Sequence, residues 1–336
     1  MVSNHKQGIL LKGARPHLEF DESVLGVVLI TLGIGVFSIQ DVLIRTLGDT
    51  YPGFEIMFFR GLVAIGPIFA FVIFSGGLET LKVSHPWLNI LRGLLALTSY
   101  TLYYMALQAL PLAISTAIFF VSPLIVTLLS VLLLSETVGI RRFTAVLTGF
   151  IGVMVIVGPT DDGLSAEMVL PVLAAVAYAV SIIITRHIGK TQTGSSLAFY
   201  AMLTFIAVSG LAGLLLGTQT NAASYHPSIA FLLRGWVLPT ASDAVLIAIC
   251  GVIAAFGFYC LAQGYKVAPV SLVAPFEFVS MPLAVFWGFL VWSEVPSLLT
   301  LSGILVIIVS GVYLLQREAR PDRKRLTSGR GVRLRL

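Results

Sequence analysis

Apolar stretches of about twenty residues, broken by short polar loops, recur from residue 24 to residue 316. A helix needs about 20 mostly apolar residues to cross the hydrocarbon core of a bilayer. The pattern predicts ten such helices, near 24–45, 53–75, 87–108, 111–134, 141–158, 165–186, 195–216, 243–264, 269–292 and 297–316. The intervening loops are rich in Gly, Pro, Ser and Asp. Pro111 and Pro269 open the fourth and ninth runs, where a missing N–H is tolerated, and so help divide long apolar blocks into separate helices. Residues 1–23 and 317–336 are polar tails. The expected fold class is an all-α integral membrane protein with ten transmembrane helices.

The chain also resembles itself. "ALPLAISTAIFFVSPLIVTLLSVLLLSE", Ala109 to Glu136, lies over "VAPVSLVAPFEFVSMPLAVFWGFLVWSE", Val267 to Glu294, at a constant offset of 158. That offset pairs Pro111 with Pro269, Ser122 with Ser280, and Ser135-Glu136 with Ser293-Glu294. At an offset of 141, Arg45 matches Arg186 and Phe59 matches Tyr200. Helices one to five, residues 24–158, are therefore expected to repeat as helices six to ten, residues 165–316. Five is odd, so the second copy enters the membrane in the opposite sense. Inverted repeats of this kind are common in secondary transporters, whose sites lie near the midplane between the halves.

Composition removes the soluble alternative that the length alone would suggest. The chain is 57% hydrophobic and 11% charged, against about 25% charged in an average soluble protein. Lysine and arginine collect in short cytoplasmic loops. The larger set here is Lys6, Lys12, Arg15, Lys82, Arg141, Arg142, Arg186, Lys190, Lys266 and the tail after Arg317. The opposite face holds Arg234 and, at a helix end, Arg45. Both termini are expected in the cytoplasm, with the chain in a bacterial inner membrane. The basic tail "REARPDRKRLTSGRGVRLRL" reads as an anchor against anionic lipid, which leaves the net charge of +5 without need of a nucleic acid. The first 23 residues lack the short apolar core and cleavage site of a secretory signal. Cys250 and Cys260 share one apolar run and read as small hydrophobes. All five histidines lie in tails or loops, so neither a metal site at membrane depth nor a cofactor is expected.

Glu277 stands alone in the apolar segment "LVAPFEFVSMPLAVFW". An acid at the centre of a span costs about 2.5–3.5 kcal/mol on insertion scales and usually faces a cavity or a partner. Val273, Ala274, Ser280, Met281 and Ala284 share its helical face and are mostly small. Pro275 and Pro282 deprive the carbonyls of Ser271 and Phe278 of their helical donors. The bland alternative is an acid paired with an arginine to hold helices together. Arg60 is the better candidate for a counter-charge in the cavity, whereas Arg92, near a helix end, is expected to snorkel to the interface. In the first repeat the position matching Glu277 is Phe119.

Ser122 and Ser280 supply matched hydroxyls. Tyr100, Tyr103 and Tyr104 share one face of helix three; interfacial packing is their ordinary role, and stacking on a flat substrate is the functional one. Gln40, Asp41 and Glu55, near helix ends, are expected to be solvated or paired locally. Glu136 and Glu294 are expected to shape loops, and Gly149, Gly152, Gly303 and Gly311 to allow close helix packing.

These segments, with "YMALQALPLAISTAIFFVSPLIVTLLSVLLLSETVGIRRFTAVLTGFIGVMVIVGP" in the first half and "LVAPFEFVSMPLAVFWGFLVWSEVPSLLTLSGILVIIVSGVYLLQRE" in the second, resemble the drug/metabolite transporter superfamily in its EamA-type branch. The group containing S-adenosylmethionine and riboflavin uptake carriers is the most similar. The resemblance implies a secondary carrier of a small polar metabolite, with uptake of a vitamin- or cofactor-like solute set against export of amino acids or toxic metabolites. No G-x-x-x-x-G-K-[ST] run is present, so a gradient is the expected energy source; protons are one candidate for the coupling ion, which the residues leave open. A membrane enzyme would need a nucleophile with its base, or a metal set, and the loop histidines supply neither. Oligomeric state stays open.

Overall fold

The computed structural model describes residues 16–83, 85–134, 140–157, 166–217 and 225–318. These residues form thirteen α-helices and short 3₁₀ turns, with no strand among them. The helices are α1 (Pro16–Leu47), α2 (Gly53–Phe74), α3 (Pro86–Leu107), α4 (Leu112–Phe119), α5 (Val121–Leu134), α6 (Ile140–Val157), α7 (Val169–Ile188), α8 (Gly194–Leu216), α9 (Pro227–Leu233), α10 (Ala241–Val267), α11 (Val270–Val273), α12 (Ser280–Trp292) and α13 (Leu298–Glu318). In hydrocarbon a backbone must satisfy its own polar groups, which selects helices from apolar runs. Seven helices of the described region are long and apolar enough to cross a membrane. The remaining apolar runs fall on α6, on the segment Phe276–Trp292 and on α13.

Helix starts follow the local chemistry. Pro86 and Pro227 occupy first-turn positions, where no N–H is needed. Thr193 and Thr240 cap α8 and α10, their hydroxyls accepting the N–H groups of Ser196 (3.1 Å) and Asp243 (3.2 Å).

The packing is pairwise. α1 runs along α10, α3 along α7, α2 along α8 and α6 along α13. Close approach of α1 and α10 depends on glycine: a Cβ on Gly257 would sit 2.6 Å from the Phe37 ring, and one on Gly264 would sit 2.8 Å from Ile30. Large apolar side chains such as Phe74, Leu132, Leu133 and Leu214 point outward, as a lipid-facing surface requires.

Two expected single helices are broken. The fourth run bends between α4 and α5, at Phe120. Pro123, in the first turn of α5, has no N–H to give the Phe119 carbonyl. The ninth run passes from α11 through a 3₁₀ stretch, Ala274–Val279, into α12. Pro275 and Pro282 remove donors on either side of Glu277, and the tighter 3₁₀ pattern spans the gap. α12 then ends at Ser293, whose φ of 55° is left-handed; the N–H groups of Ser293 and Glu294 return to the carbonyls of Phe289 and Gly288. That turn aims the Glu294 side chain back at the bundle.

Candidate functional site

The two breaks face one cavity of about 70 Å³. α1 contributes Ile34, Phe37, Ser38 and Asp41; α3 contributes Ser99, Tyr100 and Tyr103. The first break supplies Thr116, Phe119, Phe120 and Ser122, and the second supplies Glu277 and Ser280. Tyr178 of α7 and Leu261 of α10 close the wall. The cavity therefore draws on α1 and α7 as well as on α3 and the two broken runs, and α10 contributes one leucine.

Glu277 is 4% exposed. The hydroxyls of Tyr178 and Tyr265 both donate to its Oε1, each at 2.5 Å. Among the described residues nothing donates to Oε2, and no arginine pairs with the group. The acid is thus held by two tyrosines, not by the counter-charge that a helix-pairing role would need. Ser280 donates to the Glu277 backbone carbonyl at 3.1 Å. Ser122 lines the same cavity, is 1% exposed, and its hydroxyl has no partner.

Asp41 corrects the expectation of a solvated or locally paired acid. It lies in the cavity wall and accepts from Tyr103 at 3.3 Å. Tyr103 also meets the Thr116 hydroxyl at 2.9 Å, so Thr116 donates when the phenol proton is directed at Asp41. The three tyrosines of helix three lie inside the bundle, in place of the interfacial packing ordinary for such residues. Tyr103 and Tyr104 are buried, and Tyr100 stacks among Phe37, Phe205 and Phe258. Tyr103 and Tyr178 both contact the Phe119 ring. Tyr104 does not line the cavity; its hydroxyl accepts from Gln40 at 2.8 Å.

Arg60 is fully buried but sits behind the wall. Its guanidinium carbon is 5.7 Å from the ring centroids of Tyr100 and Tyr104 and 5.8 Å from that of Phe205, and none of its side-chain nitrogens has a hydrogen-bond partner. Arg92 does not snorkel. It is 4% exposed, donates to the Leu197 carbonyl and, at 3.5 Å, to Thr185, while its own carbonyl accepts from Ser181 at 3.2 Å. It lines a smaller cavity of about 30 Å³ that shares Tyr100, Tyr178 and Leu261 with the first. Glu55 is also buried, accepting from the Val237 N–H at 3.1 Å.

Glu294 does more than shape a loop. Its Oε1 accepts from Arg45 at 2.7 Å and its Oε2 from the Leu112 N–H at 3.1 Å, while Arg45 stacks 4.1 Å over Trp292. One carboxylate thereby joins the ends of α1 and α12 to the start of α4. Glu136 lies outside the described residues. The tyrosines holding Glu277 carry no signal of their own in an apolar run, although Tyr178 matches Phe37 at the offset of 141, and both line the cavity.

Residues 24–158 match the EamA-like transporter family. The chain is 27% identical over 303 residues to an S-adenosylmethionine uptake transporter of Rickettsia bellii, covering 88% of this chain and 97% of the relative. It is 29% identical over 275 residues to a riboflavin transporter of Vibrio cholerae, covering 81% and 86%. It is 27% identical over 292 residues to the pseudopaline exporter CntI of Pseudomonas aeruginosa, covering 86% and 95%. A crystal structure of a protein 19% identical superposes with a TM-score of 0.67 over 90% of this chain and 99% of that one, a likeness of fold alone. The first part of the chain thus matches the EamA-like transporter family, and along most of its length the chain is similar to proteins named as transporters of small metabolites.

Proposed function

We propose that the chain is a gradient-driven secondary carrier that takes up a vitamin- or cofactor-like metabolite through the Glu277 cavity. The observation that carries this reading is the meeting of two proline-interrupted helices at one cavity lined by carboxyl, hydroxyl and aromatic groups. Discontinuous helices around a midplane site recur in secondary transporters. The relatives named for S-adenosylmethionine and riboflavin transport support this solute class.

The ten-helix, inverted five-plus-five arrangement belongs to the same proposal. Under the sequence repeat α1 corresponds to α7 and α3 to α10, so the α1–α10 pair is the counterpart of α7–α3. The α2–α8 and α6–α13 pairs each join a helix to its own counterpart. Both broken helices also occupy matching positions. Orientation with both termini in the cytoplasm is supported by the lysine and arginine asymmetry.

Transport then needs the cavity to open alternately. At about 70 Å³ it has room for a few waters, each of which needs at least about 10–15 Å³ by this measure. A ring-bearing solute requires the helices to part. The Arg45–Glu294–Leu112 tie closes the end near Asp41, one turn from Arg45, and the Arg92 contacts close the other. Glu277 is the group proposed to exchange a coupling proton during the cycle.

Export is a second reading, favoured by the pseudopaline exporter among the relatives. Growth complementation of auxotrophs lacking their own riboflavin or S-adenosylmethionine uptake tests the first reading. Growth on low external solute is expected for uptake. Absence of growth, with efflux from preloaded vesicles, would favour export.

A further inference from the structure

Around the cavity three tyrosine phenols are directed at carboxylates, while one oxygen of each carboxylate accepts no hydrogen bond among the described residues. The phenol protons of Tyr178 and Tyr265 go to Glu277, and that of Tyr103 goes to Asp41. Both acids line the cavity, Glu277 Oε2 and Asp41 Oδ1 accept no hydrogen bond among the described residues, and the Ser122 hydroxyl, 1% exposed, is unpartnered. Among the described residues no Lys, Arg or His lines the cavity. Arg60 acts on Asp41 only through the wall, and its guanidinium faces the rings of Tyr100 and Tyr104. The lining itself thus carries two carboxyl groups and no base, with Arg60 behind one wall and Arg92 in the adjoining cavity. The remaining lining is rich in aromatic faces, which also attract cations.

We infer that this cavity selects solutes carrying a positive charge, a sulfonium or ammonium group, and that Asp41 together with Glu277 reads that charge. The inference rests on the carrier reading in taking this cavity as the substrate site. It separates the solutes named for the relatives: a neutral flavin offers the two free carboxylate oxygens no charge, whereas a sulfonium does. Asp41 thereby becomes a specificity-determining residue, and Tyr103 and Thr116 hold it in place.

The test is binding to the purified full chain in lipid nanodiscs, read through Trp287, whose indole donates to Ser38 in the cavity wall at 3.2 Å. S-adenosylmethionine and S-adenosylhomocysteine form a matched pair, differing by one methyl group and the sulfonium charge; riboflavin is the neutral third probe. The cation is expected to bind at least about tenfold tighter than the thioether, as the Coulombic attraction of a carboxylate for a nearby sulfonium requires. Asp41→Asn and Glu277→Gln should each reduce that preference by about tenfold, and Asp41→Glu should keep most of it, which separates loss of charge from loss of fold. Equal binding of the pair, preference for riboflavin indifferent to Asp41→Asn, or no binding of the cation overturns the inference. Flux in vesicles reads the carrier proposal separately. Riboflavin uptake with the cation ignored would leave the carrier and remove the charge rule, whereas charge-dependent binding without flux of any probe would do the reverse.

Discussion

Loosening the Arg45–Glu294 tie should open one end of the cavity. The perturbation is Glu294→Gln, which preserves an oxygen for the Leu112 N–H but removes the charge that Arg45 meets at 2.7 Å. The two side chains are 17% and 21% exposed, so the pair is worth more than a surface pair of about 0–1 kcal/mol. A hydrogen bond to a charged group contributes about 1.5–3 kcal/mol when buried. A loss of about 1.5 kcal/mol lies between these limits and shifts an open–closed equilibrium about tenfold. Ser99→Cys, in the cavity wall, reports the opening in a chain with Cys250→Ala and Cys260→Ala, both native thiols being free and buried. Its labelling by a membrane-impermeant reagent should accelerate about tenfold from the outer face and not from the inner. The exchange Arg45→Glu with Glu294→Arg should restore most of the slow rate. Labelling within twofold of the parent, or equal acceleration from both faces, would refute the gate.

Tyr103→Ala should weaken solute binding about tenfold while the protein level in the membrane is unchanged; an effect confined to protein level would make the residue a packing element. Gly257→Val should drive α1 from α10, because its Cβ would meet the Phe37 ring at 2.6 Å; overpacking costs about 1–3 kcal/mol, read as a lower melting temperature in detergent. Cysteines introduced at Asp161 and Arg323 should differ in labelling by an impermeant thiol reagent added outside, with only the first modified; the reverse pattern would invert the orientation.

The helices were legible because each apolar run is long and its boundaries carry Pro, Thr or charged residues. Glu277 was legible because an acid in such a run has few inexpensive explanations. Asp41 was not, since an acid near the end of a run reads as solvated until the bend of α4 and the 3₁₀ turn are seen to bring Thr116 and Glu277 to the same cavity. Tyr178 and Tyr265 were hidden for a different reason: a phenol in a hydrophobic segment packs like a phenylalanine unless its hydroxyl has somewhere to go. The break at Phe120 could have been read from Pro123, whose missing N–H leaves the Phe119 carbonyl without a donor. Arg92 misled because its distance from a helix end suggested snorkelling, whereas α7 and α8 cover it with polar partners.

The central claim is transport through the Glu277 cavity, and uptake into proteoliposomes with and without an imposed pH gradient tests it most directly. Radiolabelled S-adenosylmethionine and riboflavin are the solutes, with the wild-type chain and Glu277→Gln compared at equal reconstituted amounts. The wild type is expected to accumulate one of them above equilibrium only when the gradient is present, and Glu277→Gln is expected to insert normally, lose that accumulation and retain at most solute-for-solute exchange. Glu277→Asp should keep part of the coupling. Gradient-driven accumulation by Glu277→Gln at the wild-type level would contradict the account and return Glu277 to a structural acid held by two tyrosines.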